Sequence, residues 1–407
     1  MIDFDIEKVR KDFPALQQKI HGKPLVFLDT AASAQKPQVV IDLVTESYTN
    51  NYANVHRGVY TLSDQATSNY ESTRESVAEF IHAKCEKEVV FTKGTTESIN
   101  LVAQTLGQFY FKAGDEIILT EMEHHANIVP WQMLVQRCGV KIKVVPIFDN
   151  GELDLKAYQN LLSDKTKIVA VTQCSNVLGT VNPVKEMAVL AHKVGALFLI
   201  DGAQSVVHQE IDVQDLDCDF FVFSSHKLYG PTGVGVLYGK YEWLEKMPPY
   251  QGGGEMIATV SFSGTTFAEA PYKFEAGTPD IVAVSAFKAA IKYVQDIGLA
   301  KIAAYEHQLL AYATEKLSEV PGLKIFGSAK NKASVITFVI EGLHANDLGT
   351  LMDLSGVAVR TGQHCCHPLM DHYGVSATVR ASFALYNTFE EIDVLVSSIE
   401  KARKMLG

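Results

Sequence analysis

Short apolar runs alternate with stretches of helical periodicity through the first two thirds of the chain. Glu88 to Thr92 (EVVFT), Ile117 to Thr120, Lys167 to Thr172, Ala196 to Ile200, Phe220 to Phe223 and Val234 to Leu237 each have the length and the β-branched or aromatic content of a buried strand. Between them, Ile99, Val102, Ala103 and Leu106 recur at helical spacing, and a second helix is predicted from about Pro183 to Val194. Strands alternating with helices in this way predict an α/β layer around a mixed, mostly parallel sheet. The pattern then changes. A helix from Ser285 carries Phe287, Ala290, Ile291 and Val294 on one face and runs to Gly298, and another from about Leu299 ends before Pro321-Gly322. Ala333 to Ile340, Gly356 to Arg360 and Val379 to Leu385 read as strands, and Thr388 with Glu391 forms a capping box for a last helix. The expected organisation is an N-terminal arm (1–30) packing with the small domain, a large α/β domain (31–296) and a smaller α+β C-terminal domain (297–407).

Composition narrows the class. At 407 residues the chain exceeds the usual size of a single core, which agrees with two domains. Hydrophobic residues at 47% and charged residues at 20% are ordinary globular values. A formal net charge of −11 lacks the basic footprint that a nucleic-acid partner requires. The start, MIDFDIEKVRKDFP, has no apolar signal core, and no stretch of about twenty residues is free of charge or turn residues, so a cytoplasmic protein without membrane segments is expected. The six cysteines show no disulfide-scaffold spacing, and Cys85, Cys138, Cys174 and Cys218 are read as ordinary reduced thiols.

The candidate chemistry begins at Asp219 to Tyr238, DFFVFSSHKLYGPTGVGVLY, two predicted strands joined by a tight loop that carries Lys227. A buried lysine has a lowered pKa, and its free amine can condense with an aldehyde. Alone, such a residue is more often a snorkelling surface lysine. Upstream, however, ALFLI ends abruptly in Asp201, a carboxylate that is costly to bury without a cation to face. Ligands of open α/β sheets lie outside the carboxyl ends of strands, where both residues fall. Together they suggest pyridoxal phosphate, with Lys227 on its aldehyde and Asp201 on its ring nitrogen. Thr95 and Thr96 open a predicted helix and suit a phosphate, although a simple N-cap also explains them. His124 and His125 are neighbours with no third ligand at suitable spacing, so no metal is expected.

The runs SSHKLYGPTGVGVLY, DGAQ (Asp201 to Gln204) and RTGQHCCHPLM (Arg360 to Met370) resemble the cysteine desulfurases of the SufS group, pyridoxal-phosphate enzymes of the aspartate-aminotransferase fold. The resemblance extends from LDTAASAQKP to VRASFALYNT. It implies that Lys227, Thr95, Thr96, His124, Asn176, Asp201, Gln204, Ser224, His226 and, from the opposite subunit of a homodimer, Thr278 bind the cofactor. It further implies that His124 relays protons, that Arg380 grips the substrate carboxylate together with Asn176, and that Arg360, His56 and Arg57 border the substrate. Without it, Arg380 reads as a surface ion-pair residue and His56 and Arg57 as a solvated loop. Register with the motif selects Cys365 as the thiol that takes sulfur from L-cysteine as a persulfide, leaving alanine. Cys366 departs from the pattern, which usually has a small non-thiol residue there. A zinc site across His364 to His367 is disfavoured because consecutive residues do not converge on a tetrahedral ion. A Cys365–Cys366 disulfide is strained. The resemblance also implies delivery of sulfur for iron–sulfur cluster assembly through a SufE-type or SufU-type acceptor, with selenocysteine as a further substrate. Selenocysteine lyase, aminotransferase and a cofactor-free sulfur-relay scaffold are the competing readings.

Overall fold

The computed structural model describes residues 5–406; the first four residues of the expected arm and Gly407 of the expected C-terminal domain lie outside the described residues. A seven-stranded sheet is built from β1 (Val89–Thr92), β2 (Glu116–Thr120), β3 (Lys141–Val145), β4 (Thr166–Thr172), β5 (Leu197–Asp201), β6 (Phe220–Ser224) and β7 (Gly235–Gly239), in the order β1-β7-β6-β5-β4-β2-β3. From β3 to β6 every pairing is parallel, and β7 runs antiparallel to both β6 and β1. The continuous apolar runs follow from this arrangement, because both faces are covered. Alternate side chains feed two separate cores: Val169, Phe198, Ile200, Phe221 and Phe223 pack on one side, and Ile168, Leu197, Leu199, Phe220 and Val222 on the other.

Register decides where the polar ends of these strands fall. Thr172 pairs with Asp201, and Asp201 with Val222, so the carboxyl ends of β4, β5 and β6 line up at one edge. Lys227 arrives there after one helical turn, Ser225–Lys227, rather than at the strand end itself.

A second sheet holds β8 (Leu323–Phe326), β9 (Val335–Ile340), β10 (Arg360–Gly362) and β11 (Thr378–Ser382) in the antiparallel order β8-β9-β11-β10. Helices Leu299–Ser318 and Phe389–Leu406 pack on it, and the Thr388/Glu391 box forms with both bonds at 3.3 Å. The arm joins this layer. Val26 and Leu28 donate their amides to Gly356 and Ala358 at 2.9 Å each, and both side chains enter its core.

The pattern reading left out helices Gln38–Asn50 and Thr61–Phe80. The second, TLSDQATSNYESTRESVAEF, is too polar to announce an apolar stripe, because part of its inner face is charged. Arg74 is fully buried, with Nη1 and Nη2 on the two oxygens of Glu275 (2.6 and 3.0 Å), Nε on Glu71 (2.9 Å) and Nη1 also on the Val89 carbonyl (3.0 Å). Glu275 in turn accepts the Phe91 amide at 2.7 Å, so this pair welds the helix and the 275–279 turn to β1. Truncating one partner strands the other's charge, and Arg74→Ala is expected to cost about 3–5 kcal/mol of stability. Urea unfolding checks this; a loss within the range of an exposed ion pair would show that the network is not anchoring the helix.

Candidate active site

At the carboxyl edge of β4 to β6 lies a cavity of about 400 Å³, bounded on its far side by residues of the four-stranded layer. Asp201 and Lys227 both line it. Asp201 is buried, and its Oδ1 accepts the Ala203 amide at 2.9 Å. Burial raises its carboxyl pKa against the opposing pull of that amide and of the Lys227 charge. Burial likewise lowers Lys227, against the pull of Asp201. Neither has an ion-pair partner within 4.0 Å among the described residues, so space separates two groups that would otherwise pair.

At one end of the cavity the helix Thr95–Phe109 begins. Its cap position is Gly94, which has no side chain to fold back, and Thr95 and Thr96 already lie within the first turn. The simple N-cap explanation of these threonines therefore fails, and an amide-rich, positive helix end faces the cavity. Ser224 Oγ accepts the Thr95 amide and meets Thr95 Oγ1, both at 2.8 Å. Close approach of β7 makes this possible: a Cβ at Gly235 would stand 2.3 Å from the Gly94 Cα. His226 meets Ser33 Oγ at 3.2 Å, and burial with the Lys227 charge lowers its pKa to about 4. Gln204 donates to the Ala31 carbonyl at 2.7 Å.

His124 lines the same cavity. Its Nδ1 accepts the Ala126 amide at 3.1 Å, which leaves Nε2 as the protonated nitrogen of the neutral ring. Burial, then the Lys227, His125 and Arg380 charges, lower its pKa to about 4. The preceding Glu123, absent from the pattern reading, is fully buried and accepts Thr120 Oγ1 (2.6 Å), Asn127 Nδ2 (2.7 Å) and the Thr172 amide (3.0 Å), with burial pushing its pKa up to about 8.

The four-stranded layer brings in Arg360, Cys365 and Arg380. Arg380 is buried and is no surface residue: Nη1 donates to the Asn176 carbonyl (2.9 Å), Nη2 to Asp29 (3.2 Å), and Nε has no partner among the described residues. Arg360 grips the same Asp29 through Nε and Nη2 at 2.7–3.1 Å. Asp29 was missed as a site residue, although LVFLD ends an apolar run in a carboxylate as LFLID does. Asn176 lines the cavity, but its side chain is bound to the cysteine turn, through Nδ2 to the His364 carbonyl (2.8 Å) and through Oδ1 from Cys366 Sγ (3.1 Å). Cys365 is exposed and Cys366 fully buried. Cys174, read as an ordinary thiol, lines the cavity, with burial raising its pKa to about 12.

Three expected residues do not join this cavity within one chain. His56 pairs with Glu71 (2.8 Å) and Arg57 with Glu255 (3.1 Å) beside a separate depression next to Tyr272 and Gly277. Thr278 lies in another depression near Tyr250 and Asp280. Beside them the His56 and Tyr272 rings meet edge-on at 5.7 Å, and Glu275 is tied to Arg74 of helix Thr61–Phe80.

The aminotransferase class-V family matches residues 26–395. Cysteine desulfurases of Pectobacterium carotovorum subsp. carotovorum (strain PC1) and Yersinia pestis (strain Pestoides F) are each 52% identical to this chain over all 407 residues and over 100% of their own length. Among solved structures, the Escherichia coli cysteine desulfurase CsdA is 40% identical with a TM-score of 0.93, covering 99% of this chain and 100% of its own. The cysteine desulfurase of Thermococcus onnurineus NA1 is 40% identical with a TM-score of 0.94 and full coverage of both chains. The chain thus belongs to the class-V aminotransferases, with the fold type I architecture of pyridoxal-phosphate enzymes. The activity these likenesses support is that of a pyridoxal-phosphate-dependent cysteine desulfurase. The residues fit the cofactor: an unpaired lysine and a buried, cation-free carboxylate face one cavity beside an open helix N-terminus.

The half-buried His124 imidazole makes stability depend on pH. The unfolded ring titrates near 6.5 and the folded one near 4, so between these values the unfolded chain binds a proton that the folded chain refuses, and stability falls as pH falls. Above 6.5 this cost is absent. His124→Gln removes it, so the variant's stability relative to the parent is expected to improve steadily from pH 6.5 down to about 4 and to stay level above. Urea unfolding at stepped pH measures the difference, and a level difference throughout would rule out a neutral half-buried ring.

Proposed function

We propose that this protein is an L-cysteine desulfurase of the SufS group that transfers the sulfur of L-cysteine to Cys365 as a persulfide and releases L-alanine. The observation that carries this reading is one exposed thiol, Cys365, in the same cavity as Lys227 and Arg380. When bound, pyridoxal phosphate supplies an aldehyde for the substrate amine and an electron-withdrawing ring. Asp201 would face the ring nitrogen, His124 the ring, and Thr95, Thr96, Ser224 and His226 the phosphate, with Gln204 and Asn176 at the ring's edge.

The remaining roles belong to this chain's own groups. Arg380, with a free Nε and a planar fork, holds the substrate carboxylate, and Arg360 adds positive charge at the mouth. Lys227, its pKa lowered by burial, is a base able to take the α-proton and return one. Cys365 as thiolate forms the new S–S bond while the substrate C–S bond breaks, and the carbon skeleton takes up protons to leave as alanine. The balance is one thiol and one cysteine to one persulfide and one alanine. Selenocysteine, of matching shape and with the same amine and carboxylate, enters the same cavity.

A homodimer completes the picture. Val59 and Phe262 are fully exposed, the latter at the tip of an exposed hairpin (Ile257–Ser261 and Gly264–Phe267), and Thr278, His56 and Arg57 sit on the outer surface, where a second copy would receive them. We place residues 31–296 in a cofactor domain and 297–407 in a domain carrying Cys365, with the protein working in the cytoplasm. Its sulfur passes to a SufE-type or SufU-type acceptor for iron–sulfur cluster assembly. No described helix is long and apolar enough to cross a membrane.

The test is an absorption spectrum before and after L-cysteine, with alanine and sulfur assayed together. The parent should show a visible band that shifts, with equal alanine and sulfur. Cys365→Ala should keep the band and its shift while alanine formation falls about 100-fold. Normal alanine output from that variant would defeat the role given to Cys365.

A further inference from the structure

Cys365 sits in a turn that L-residues avoid. The Cys366 amide bonds back to the Gln363 carbonyl at 2.9 Å, and the two central residues, His364 and Cys365, have φ of +52° and +57°. Positive φ at both centres is the pattern of a type I′ turn, which favours glycine and asparagine, so two side chains here must be held by their surroundings.

The holding groups come largely from the other layer. His125 contributes twice: its amide donates to the Cys365 carbonyl at 2.8 Å, and its ring Nε2 accepts the His367 amide at 3.1 Å. The His125 and His367 rings stack at 5.9 Å with an interplanar angle of 18°. Asn176 adds two more bonds: its Nδ2 donates to the His364 carbonyl, and its Oδ1 accepts from Cys366 Sγ. Each peptide group flanking Cys365 is therefore fixed, while its thiol stays exposed.

We infer that His125 is a positioning residue for the Cys365 nucleophile: its ring acceptor and its own amide clamp the strained turn so that the thiol meets the substrate sulfur. Cys366 serves the same clamp by orienting the Asn176 amide and carries no sulfur itself. The inference rests on the role proposed above for Cys365.

Two substitutions separate the acceptor from the bulk of the ring. His125→Phe keeps the stacking and removes the acceptor; His125→Gln keeps an acceptor at a similar reach. With His125→Phe, the cysteine-induced shift of the cofactor band should proceed at the parent rate, alanine formation should slow about tenfold, and the amides of residues 365–367 should exchange with deuterium about tenfold faster. His125→Gln should restore both. Cys366→Ala, losing only a weak thiol donor, should stay within about threefold of the parent in alanine formation. Unchanged alanine formation and exchange in His125→Phe would overturn the inference. So would loss of the spectral shift, which would place His125 on the cofactor. If His125→Phe does not fold, His125→Leu, which keeps most of the ring's bulk and lacks an acceptor, takes its place beside His125→Gln. Absence of alanine from the parent itself, with exchange still responding to the substitutions, would sink the desulfurase reading and leave the clamp standing.

Discussion

The site depends on holding a buried carboxylate, Asp201, and a half-buried lysine, Lys227, apart from one another. The parallel strands β4 to β6 are apolar on both faces and end together, so the edge where Asp201 and Lys227 emerge is the nearest place that a polar group can stand. An unpaired ion there costs several kcal/mol of desolvation. That cost is visible as opposite displacements, Asp201 toward its neutral acid and Lys227 toward its neutral amine. A direct ion pair would relieve both and abolish the chemistry. A ring with a basic nitrogen at one end and an aldehyde at the other would answer both groups at once, so the cavity between them suits such a cofactor.

The second layer supplies what the first lacks. A parallel sheet edge gives a platform with one open side, and the antiparallel β10-β11 edge closes it with Arg360 and Arg380. Asp29 is the joint: it lies at the end of the arm's apolar run, its neighbour Leu28 is hydrogen-bonded to Ala358, and its carboxylate takes both arginines. Two cations on one anion leave a net positive mouth, suited to an amino acid carboxylate. Arm, platform and closing layer are therefore interlocked at the mouth of the cavity.

Much of this was legible in the sequence because strands buried on both faces must be apolar throughout, and a charge that ends such a run stands out. Asp201 and Lys227 were found that way. The same signal marked Asp29 and was not followed, since a single carboxylate says nothing of which cations fold onto it. His56 and Arg57 illustrate a different limit. Local sequence places them on loops, but whether a loop faces its own cavity or the outside depends on packing such as Arg74 against Glu275, contacts made by residues about two hundred positions apart. Helix Thr61–Phe80 was hidden for a related reason, because its buried face is partly ionic.

The adjacent thiols show how backbone conformation can divide one chemical group into two fates. In an ordinary extended segment neighbouring side chains point to opposite faces, and either thiol could be presented by a shift of one residue. Here the left-handed conformation at His364 and Cys365 fixes the choice, leaving Cys365 exposed at the mouth and Cys366 buried against Asn176. Burial pushes the Cys366 thiol up, away from the thiolate that nucleophilic attack requires. A thiol that is to react at the mouth of a cavity needs an exposed side chain on an immobile backbone. A left-handed turn held by hydrogen bonds provides both, because the conformation keeps the thiol outward and the bonds keep the turn from relaxing.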